Sequence, residues 1–476
     1  MRPLLADDDG AQMERELKKL ASVYATVENE SADPVPAPIA IYQGAIPGML
    51  RTLDPHSVFF DPDQFEQLQQ MQKSERKGFG SVVSLLPGRV IVLQTLEGSP
   101  SAKAGLSAGD DVLGINNIPV RYLDVEQLTQ LLGEARQSQV TLDVRKPGSE
   151  RAVQMVMSPA LLDAPTVDRA FMIAPGIGHV RITSFEAPTG KLVQQTIEKL
   201  GGDALKGLIL DLRDNPGGAV QSAAETAALF LAPKQAIFTI GGRSTKPEEV
   251  AVPDGASPYK FPMVILVNGK SASASEIVTG ALQDHDRAIV LGEPSYGKGL
   301  VQQVFSLSAS SGLALTTAFY YTPSGRSIQK PLASGQLGAA TVVARGPFRS
   351  DAGRSLPGGG GIQPDEIVYP AQQSRLQIVL DASGSLTSFA GEYLRTHEVG
   401  EDAQVTSAML DELKVFLSER SIQPGVADWL TARDWIASRL QQEIVTLKFG
   451  VARGDELELQ RDAVIQAGLK KLRGAP

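Results

Sequence analysis

The sequence predicts a multidomain α/β protein: a layered core of largely parallel strands and helices, with an inserted β-rich module and helical regions at both ends. Three observations predict it. From about 160 to 369, apolar strand candidates alternate with helical runs: GLILDL then AVQSAAETAALFL, MVILVN then SASEIVTGALQD, and AIVLG. Such alternation favours a parallel sheet covered by helices. From about 76 to 158 the runs RVIVLQTL and QVTLDVRK read as short strands, around SPSAKAGLSAGDDVLGINN and a helix-like LDVEQLTQLLGEA. Finally, apolar residues recur at three- and four-residue steps near both ends. Met13, Leu17, Leu20, Tyr24 and Val27 mark a helix over 11–28; Met409, Leu410, Leu413, Phe416 and Leu417, then Ile436, Leu440, Ile444 and Leu447, mark helices beyond 370.

At 476 residues the chain exceeds what one hydrophobic core usually supports. The expected division is an N-terminal helical segment at 1–75, the β module at 76–158, the α/β core at 159–369 and a helical appendage at 370–476. Pro34, Pro36 and Pro38 interrupt regular structure and predict a linker near 30–38, with a second helix near 44–54. The stripe on the first helix is of the kind that packs on its own protein or pairs with another subunit.

Composition narrows the function classes. With 42% hydrophobic and 21% charged residues the chain reads as globular. A net charge of −9 argues against nucleic acid as a partner. No run of eighteen apolar residues predicts a membrane span, and MRPLLADDDG lacks the apolar stretch of a secretion signal. The absence of cysteine removes disulfides, thiolate catalysis and cysteine zinc sites, and suits an oxidising compartment.

The densest chemistry lies in NGKSASASEIVTGALQD, where a strand runs through small residues into a helix. Ser273 sits at that turn, where first-turn N–H groups beginning with Ala274 can face an oxygen that gains negative charge. Ser273 and Glu276 also have the S-x-x-E spacing of a capping box, and taken alone that spacing favours reading the serine as an N-cap. The histidines His56, His179, His285 and His397 are scattered. His285 falls at a helix end between two aspartates, a setting of solvated caps and at best a weak metal site. No metal or cofactor is assigned. Lys298, between two glycines after AIVLG, is the remaining base candidate, because burial favours the neutral form of an amine. Gln302, four residues on, shares a face with it in a regular strand or helix. G-E-P-S-Y-G-K at 292–298 fits most of a phosphate-binding loop, but Gly299 replaces the required Ser or Thr, and LVQQVF alternates like a strand. DLRDNPGG at 211–218 places two glycines at a strand end, either an ordinary turn or a close approach to a ligand.

Together these elements resemble the carboxyl-terminal processing peptidases, PDZ-containing serine proteases with a Ser/Lys dyad on a crotonase-like layered core. The resemblance spans about 45–370. It rests on TLDPHSVFFDPDQF at 52–65, GSPSAKAGLSAGDDVLGINNIPV at 98–120, DLRDNPGG, SASASEIVTGALQDHDRAIVLGEPSYGKGLVQ at 271–302, TTAFYYTPSGRSIQ at 316–329 and GGIQPDEIV at 360–368. It implies Ser273 as nucleophile, Lys298 as general base and Gln302 in support. The oxyanion hole would combine Ala274 with Gly217 or Gly218, and Gly78, Phe79 and Gly80 would receive a substrate carboxylate in the PDZ domain. The family pattern LLRG reads Leu131, Leu132, Gly133, Glu134 here; Arg136 is the nearby substitute for the missing arginine. The implied function is cleavage of proteins near their C termini in an extracytoplasmic compartment, the bacterial periplasm, by a mature or trimmed chain. Expected partners are substrates with a free C terminus, further copies of the chain and an adaptor protein. The rival is an inactive PDZ-based peptide-binding scaffold.

Overall fold

The structure, a computed structural model, describes residues 7–33, 35–66, 77–136, 138–147, 149, 151–162, 166–243, 246–308, 311–331, 347–402 and 404–474. Residue 76, the expected start of the β module, lies outside these. α1 (Asp7–Glu30) runs a few residues beyond its apolar pattern at each end, and the Glu14–Lys18 pair at 2.7 Å lies along its polar face. Its stripe is left uncovered: Met13, Leu17 and Leu20 are 53%, 56% and 52% exposed. A π-helical stretch (Ile39–Ala45) leads into α2 (Ile46–Arg51), so the second predicted helix begins earlier and in a wider winding. β1 (Val58–Phe60) follows.

The β module is built on β2 (Lys77–Gly78), β3 (Ser81–Leu86), β4 (Arg89–Thr95), β5 (Asp111–Ile115), β6 (Ile118–Pro119), β7 (Val140–Arg145), β8 (Ala152–Met157) and β9 (Ala160–Leu161), with α3 (Pro100–Lys103) and α4 (Val125–Ala135). Strands run in the order β3-β4-β5-β7-β8, with β6 on β5. Alternate residues Val90, Val92, Val112, Val140, Leu142 and Val144 face one core shared with Leu128 of α4. Asp124 and Gln127 form the capping box that starts α4. β2 pairs antiparallel with β9, so the chain enters and leaves the module side by side.

The core has two sheets. One runs β10 (Val167–Ala174), β11 (Ile177–Ile182), β12 (Gly207–Asp211), β15 (Met263–Val267), β16 (Ile289–Gly292) and β21 (Glu366–Ile367), parallel from β11 onward. β12 and β15 are buried at every residue, as their unbroken apolar runs predict for central parallel strands. Leu208, Leu210 and Ile265 face α5 (Thr189–Leu200), α6 (Val220–Ala228) and α7 (Ala274–Asp284). The second sheet orders β1, β18 (Ser311–Tyr321), β13 (Ala236–Gly241) and β14 (Glu248–Ala251), with β17 (Leu300–Ser308) along β18. Its Ile237, Phe238 and Tyr320 close the same core from beyond the helices. β1 therefore joins the N-terminal segment to the core across the inserted module. β19 (Phe348–Arg349) and β20 (Ser355–Leu356) form a small hairpin.

Beyond 370, α8 (Arg375–Ala382), α9 (Ser385–Thr396), α10 (Ser407–Glu419) and α11 (Val426–Phe449) bury Leu380, Phe389, Leu413, Ile436 and Leu440 in a cluster of their own. The last two helices differ. α12 (Val451–Leu459) and α13 (Ala463–Arg473) cover the other face of the parallel sheet, with Val464, Ile465 and Leu469 against Ile209, Val264 and Leu266. The end of the chain is thus a layer of the core rather than an appendage. Among the described residues, no helix is long and apolar enough to cross a membrane.

Candidate active site

β15 delivers the chain into Asn268–Ala272, and α7 starts at Ala274. The hinge residue Ser273 has φ 55° and ψ −112°, a region that costs a non-glycine residue roughly 1–3 kcal/mol. Its neighbours over-determine that shape. Ser271 Oγ donates to Leu212 O (2.8 Å), Ala272 N–H to Asn215 O (3.0 Å) and Ser275 Oγ to Asn215 O (3.0 Å). Ser271 and Ser275 are buried, whereas Ser273 keeps partial exposure. The repeated serines thus divide the work: the outer two bind the serine turn to the DLRDNPGG turn, and the middle one is accessible.

Glu276 forms the box with Ser273, and its well-formed arm is the carboxylate, which accepts the Ser273 N–H on Oε2 at 2.8 Å. The same Oε2 accepts the Lys298 N–H at 2.9 Å; Oε1 accepts Gly297 N–H at 2.7 Å and Ser295 Oγ–H at 2.5 Å. The Ser273 and Lys298 backbone nitrogens therefore lie no farther apart than the sum of two hydrogen bonds. Glu276 is 1% exposed. Burial pushes its carboxyl up, and the hydrogen bonds from Ser295, Lys298, Ser273 and Gly297 oppose that by favouring the charged form. The spacing alone gives Glu276 only a capping role, because its other partners lie 19 to 22 residues away.

Lys298 is half-buried, and among the described residues its Nζ makes no hydrogen bond or ion pair. Gly297 (φ 90°) lets the loop turn beneath it; a Cβ there would stand 2.7 Å from Lys330 Cβ. Beside this loop a cavity of about 490 Å³ is lined by His56, Ser295, Tyr296, Gly297, Gln329 and Lys330 among others. Gln302 lies on β17 just past a bulge, and its Nε2 donates to His56 O at 2.8 Å. Its amide thus ties β17 to the segment before β1, and among the described residues it has no hydrogen bond to Lys298. The strand after Gly299 is the feature that separates this loop from a phosphate-binding loop.

The two glycines are not equivalent. Gly217 N–H donates to Asn215 Oδ1 at 2.8 Å, while Gly218 N–H has no partner among the described residues. A Cβ on Gly217 would come within 2.8 Å of Ser273 Cβ and 2.9 Å of Ala274 N, so the turn abuts the serine. His285 caps the far end of α7, between Asp351 (2.8 Å) and Ala236 O (2.8 Å). An eleven-residue helix puts it roughly 16 Å from Ser273. His179 is buried beside Asp211 at 3.4 Å.

In the β module, Gly78 pairs with Ala160, Phe79 O accepts Ser101 N–H (2.9 Å) and Gly80 O accepts Leu96 N–H (2.8 Å). Gly80 (φ 74°) leaves no room for a side chain, since a Cβ would lie 2.3 Å from Ser99 Cβ. Among the described residues β3 pairs with β4 on one edge only, and α4 packs beside it. Gly133 and Arg136 are exposed near the end of α4.

The family model for peptidase family S41 matches residues 176–335, and that for the PDZ domain matches 91–146. A carboxy-terminal-processing protease of Bartonella bacilliformis is 33% identical over 320 residues, 66% of this chain and 73% of that protein. A carboxyl-terminal-processing protease of Synechocystis sp. is 33% identical over 292 residues, 60% of this chain and 68% of the relative. A solved photosystem II D1 C-terminal processing protease is 27% identical, with a TM-score of 0.42, over 65% of this chain and 83% of that one. An S41 core interrupted by a PDZ domain defines the class: a peptide hydrolase. Within that class, the chain belongs to the carboxy-terminal processing proteases.

Proposed function

We propose that the chain is an endopeptidase that cuts proteins near their C termini with a Ser273/Lys298 dyad. The observation that carries this reading is Glu276 Oε2, which holds the backbones of a strained serine and of a lysine whose amine has no partner among the described residues against each other. Neutral Lys298 takes the Ser273 hydroxyl proton as Oγ attacks the scissile carbonyl. The carbonyl oxygen becomes an oxyanion facing the N–H groups of Ala274 and Gly218; Gly218 is preferred because Gly217 is already committed to Asn215. The Lys298 ammonium then protonates the leaving amine, and the regenerated Lys298 amine deprotonates a water that attacks the acyl group, returning that proton to Ser273 Oγ as the acid is released. Gln302 supports the site through its bond to the segment before β1. The substrate tail adds to the open edge of β3, with its carboxylate at Gly78–Gly80. Arg136 stands in for the arginine absent at Gly133.

The partners follow from surface and family. The uncovered α1 stripe supports a homo-oligomer, testable by light scattering at micromolar concentration, where a monomeric mass sinks it. An adaptor protein and an extracytoplasmic, periplasmic setting complete the reading. Mass spectrometry of a tail-bearing protein incubated with the chain tests the activity. Cleavage is expected for the wild type and none for Ser273→Ala, Lys298→Ala or Lys298→Arg, since a guanidinium stays protonated. Normal turnover by Lys298→Ala, or an inert wild type that only binds the tail, refutes the dyad.

A further inference from the structure

Asp462 opens α13 and uses its two oxygens for different ends. Oδ1 accepts the N–H groups of Val464 (2.8 Å) and Ile465 (3.0 Å), capping the helix. Oδ2 accepts Arg213 Nη1 at 2.6 Å, across 249 residues of sequence. Arg213 belongs to the DLRDNPGG turn, and its other N–H groups grip Asp211: Nε on Oδ1 at 2.9 Å and Nη2 on Oδ2 at 2.7 Å. Both groups are largely buried. Burial disfavours the guanidinium's charge, but Asp211 and Asp462 together hold it above its usual range.

The turn that Arg213 anchors has little shape of its own. Asp214, Gly217 and Gly218 have φ values of 59°, 100° and 142°, so three of its five residues from Asp214 to Gly218 lie outside ordinary preference. Apart from the Gly217 N–H bond to Asn215 Oδ1, what fixes them is external. Asn268 holds Asp214 N–H (3.0 Å), Asn215 is joined to the serine turn, and Arg213 is clamped from below by the C-terminal helix. Gly218 and Ser273 must keep their spacing to within a fraction of an ångström for an oxyanion to be held.

We infer that Asp462 is a positioning residue for peptide hydrolysis, through which α13 clamps the oxyanion turn by way of Arg213. The last helix of the chain is in this sense part of the catalytic unit. The inference rests on the assignment of Ser273, Ala274 and Gly218 proposed above.

Asp462→Asn in the full chain separates the two uses, because asparagine caps a helix as well as aspartate but offers Arg213 no carboxylate. Expected are a kcat about ten-fold lower or worse, an unchanged KM and an unfolding midpoint within a few degrees of wild type. Affinity for a peptide boronic acid, whose tetrahedral adduct with the serine occupies the oxyanion site, should fall by the same factor. Asp462→Glu restores the charge and should recover part of both. Wild-type kcat and boronate affinity in Asp462→Asn overturn the inference. So does an activity loss matched by the fraction unfolded, with boronate affinity per folded molecule unchanged. An inert wild type or an active Ser273→Ala instead sinks the dyad assignment itself.

Discussion

Removing the carboxylate of Glu276 should disable the site and loosen the fold together, and the two effects can be separated by variant. Four donors converge on this buried group: the N–H groups of Ser273, Gly297 and Lys298, and the Ser295 hydroxyl. In Glu276→Ala the hydroxyl can rotate, but three N–H groups lose their acceptor, at about 1–3 kcal/mol each. The sum, roughly 3–9 kcal/mol, is a large part of the ~5–15 kcal/mol that holds a typical domain together. Glu276→Gln is milder. Its amide oxygen can face Ser273 and Lys298, and its NH₂ can face the Ser295 oxygen, which leaves only Gly297 unsatisfied. That variant should lose about 1–3 kcal/mol in urea unfolding and keep kcat within roughly ten-fold of wild type. Glu276→Ala should fall at least a hundred-fold further, measured on a tail-bearing peptide below the onset of unfolding, because the Ser273 and Lys298 N–H groups then lose the acceptor they share. Equal kcat for the alanine and glutamine variants would show that the shared acceptor does not align the pair.

Ser271→Ala and Ser275→Ala should remain active, as their hydroxyls stand outside the proposed dyad, yet each should cost about 1 kcal/mol in unfolding for its lost bond to Leu212 O or Asn215 O; full inactivation of either contradicts this. Gly217→Ala should abolish turnover without unfolding the core, because its Cβ would meet Ser273 Cβ at 2.8 Å; a near-normal kcat rules out the close apposition of the turns. Asp455 is pushed up to about 6 by burial, with Glu458 and Asp168 adding to the shift and Arg169 opposing it. A raised acid favours folding while protonated, so its contribution is complete below about pH 4 and lost as pH rises through 6; Asp455→Asn should flatten that part of the urea-midpoint profile, and an unchanged slope refutes it. Amidating a substrate's C terminus should slow its cleavage if Gly78–Gly80 receive the carboxylate, and equal rates for acid and amide exclude that role.

The serine turn was legible because its signals are local: a strand, small residues and a glutamate at capping distance. The rest of the site is joined by contacts that periodicity and spacing do not encode. Glu276 reaches Gly297 and Lys298 across a helix and a strand, Gln302 reaches His56 across 246 residues, and Asp462 reaches Arg213 across 249. An apolar stripe announces that a face wants cover without saying what supplies it. The terminal helices read as an appendage, yet α13 roofs the parallel sheet, while the equally regular stripe of α1 stays in solvent. Adjacent in sequence and identical in type, Gly217 and Gly218 are told apart by Asn215, which takes one of their two N–H groups.

The pairing of β1 with β18 also sets an order of assembly. Val58 finds Ala314, and Ser57 Oγ finds Thr316 N–H 259 residues later, so β1 waits for its partner until that stretch has been made. The β module, whose strand pairings all close within residues 77–161, can fold in that interval. Asp462 emerges later still. A nascent chain on the ribosome would therefore display a finished β module well before β17 and β18 supply the second sheet, and before Asp462 supplies the clamp on Arg213.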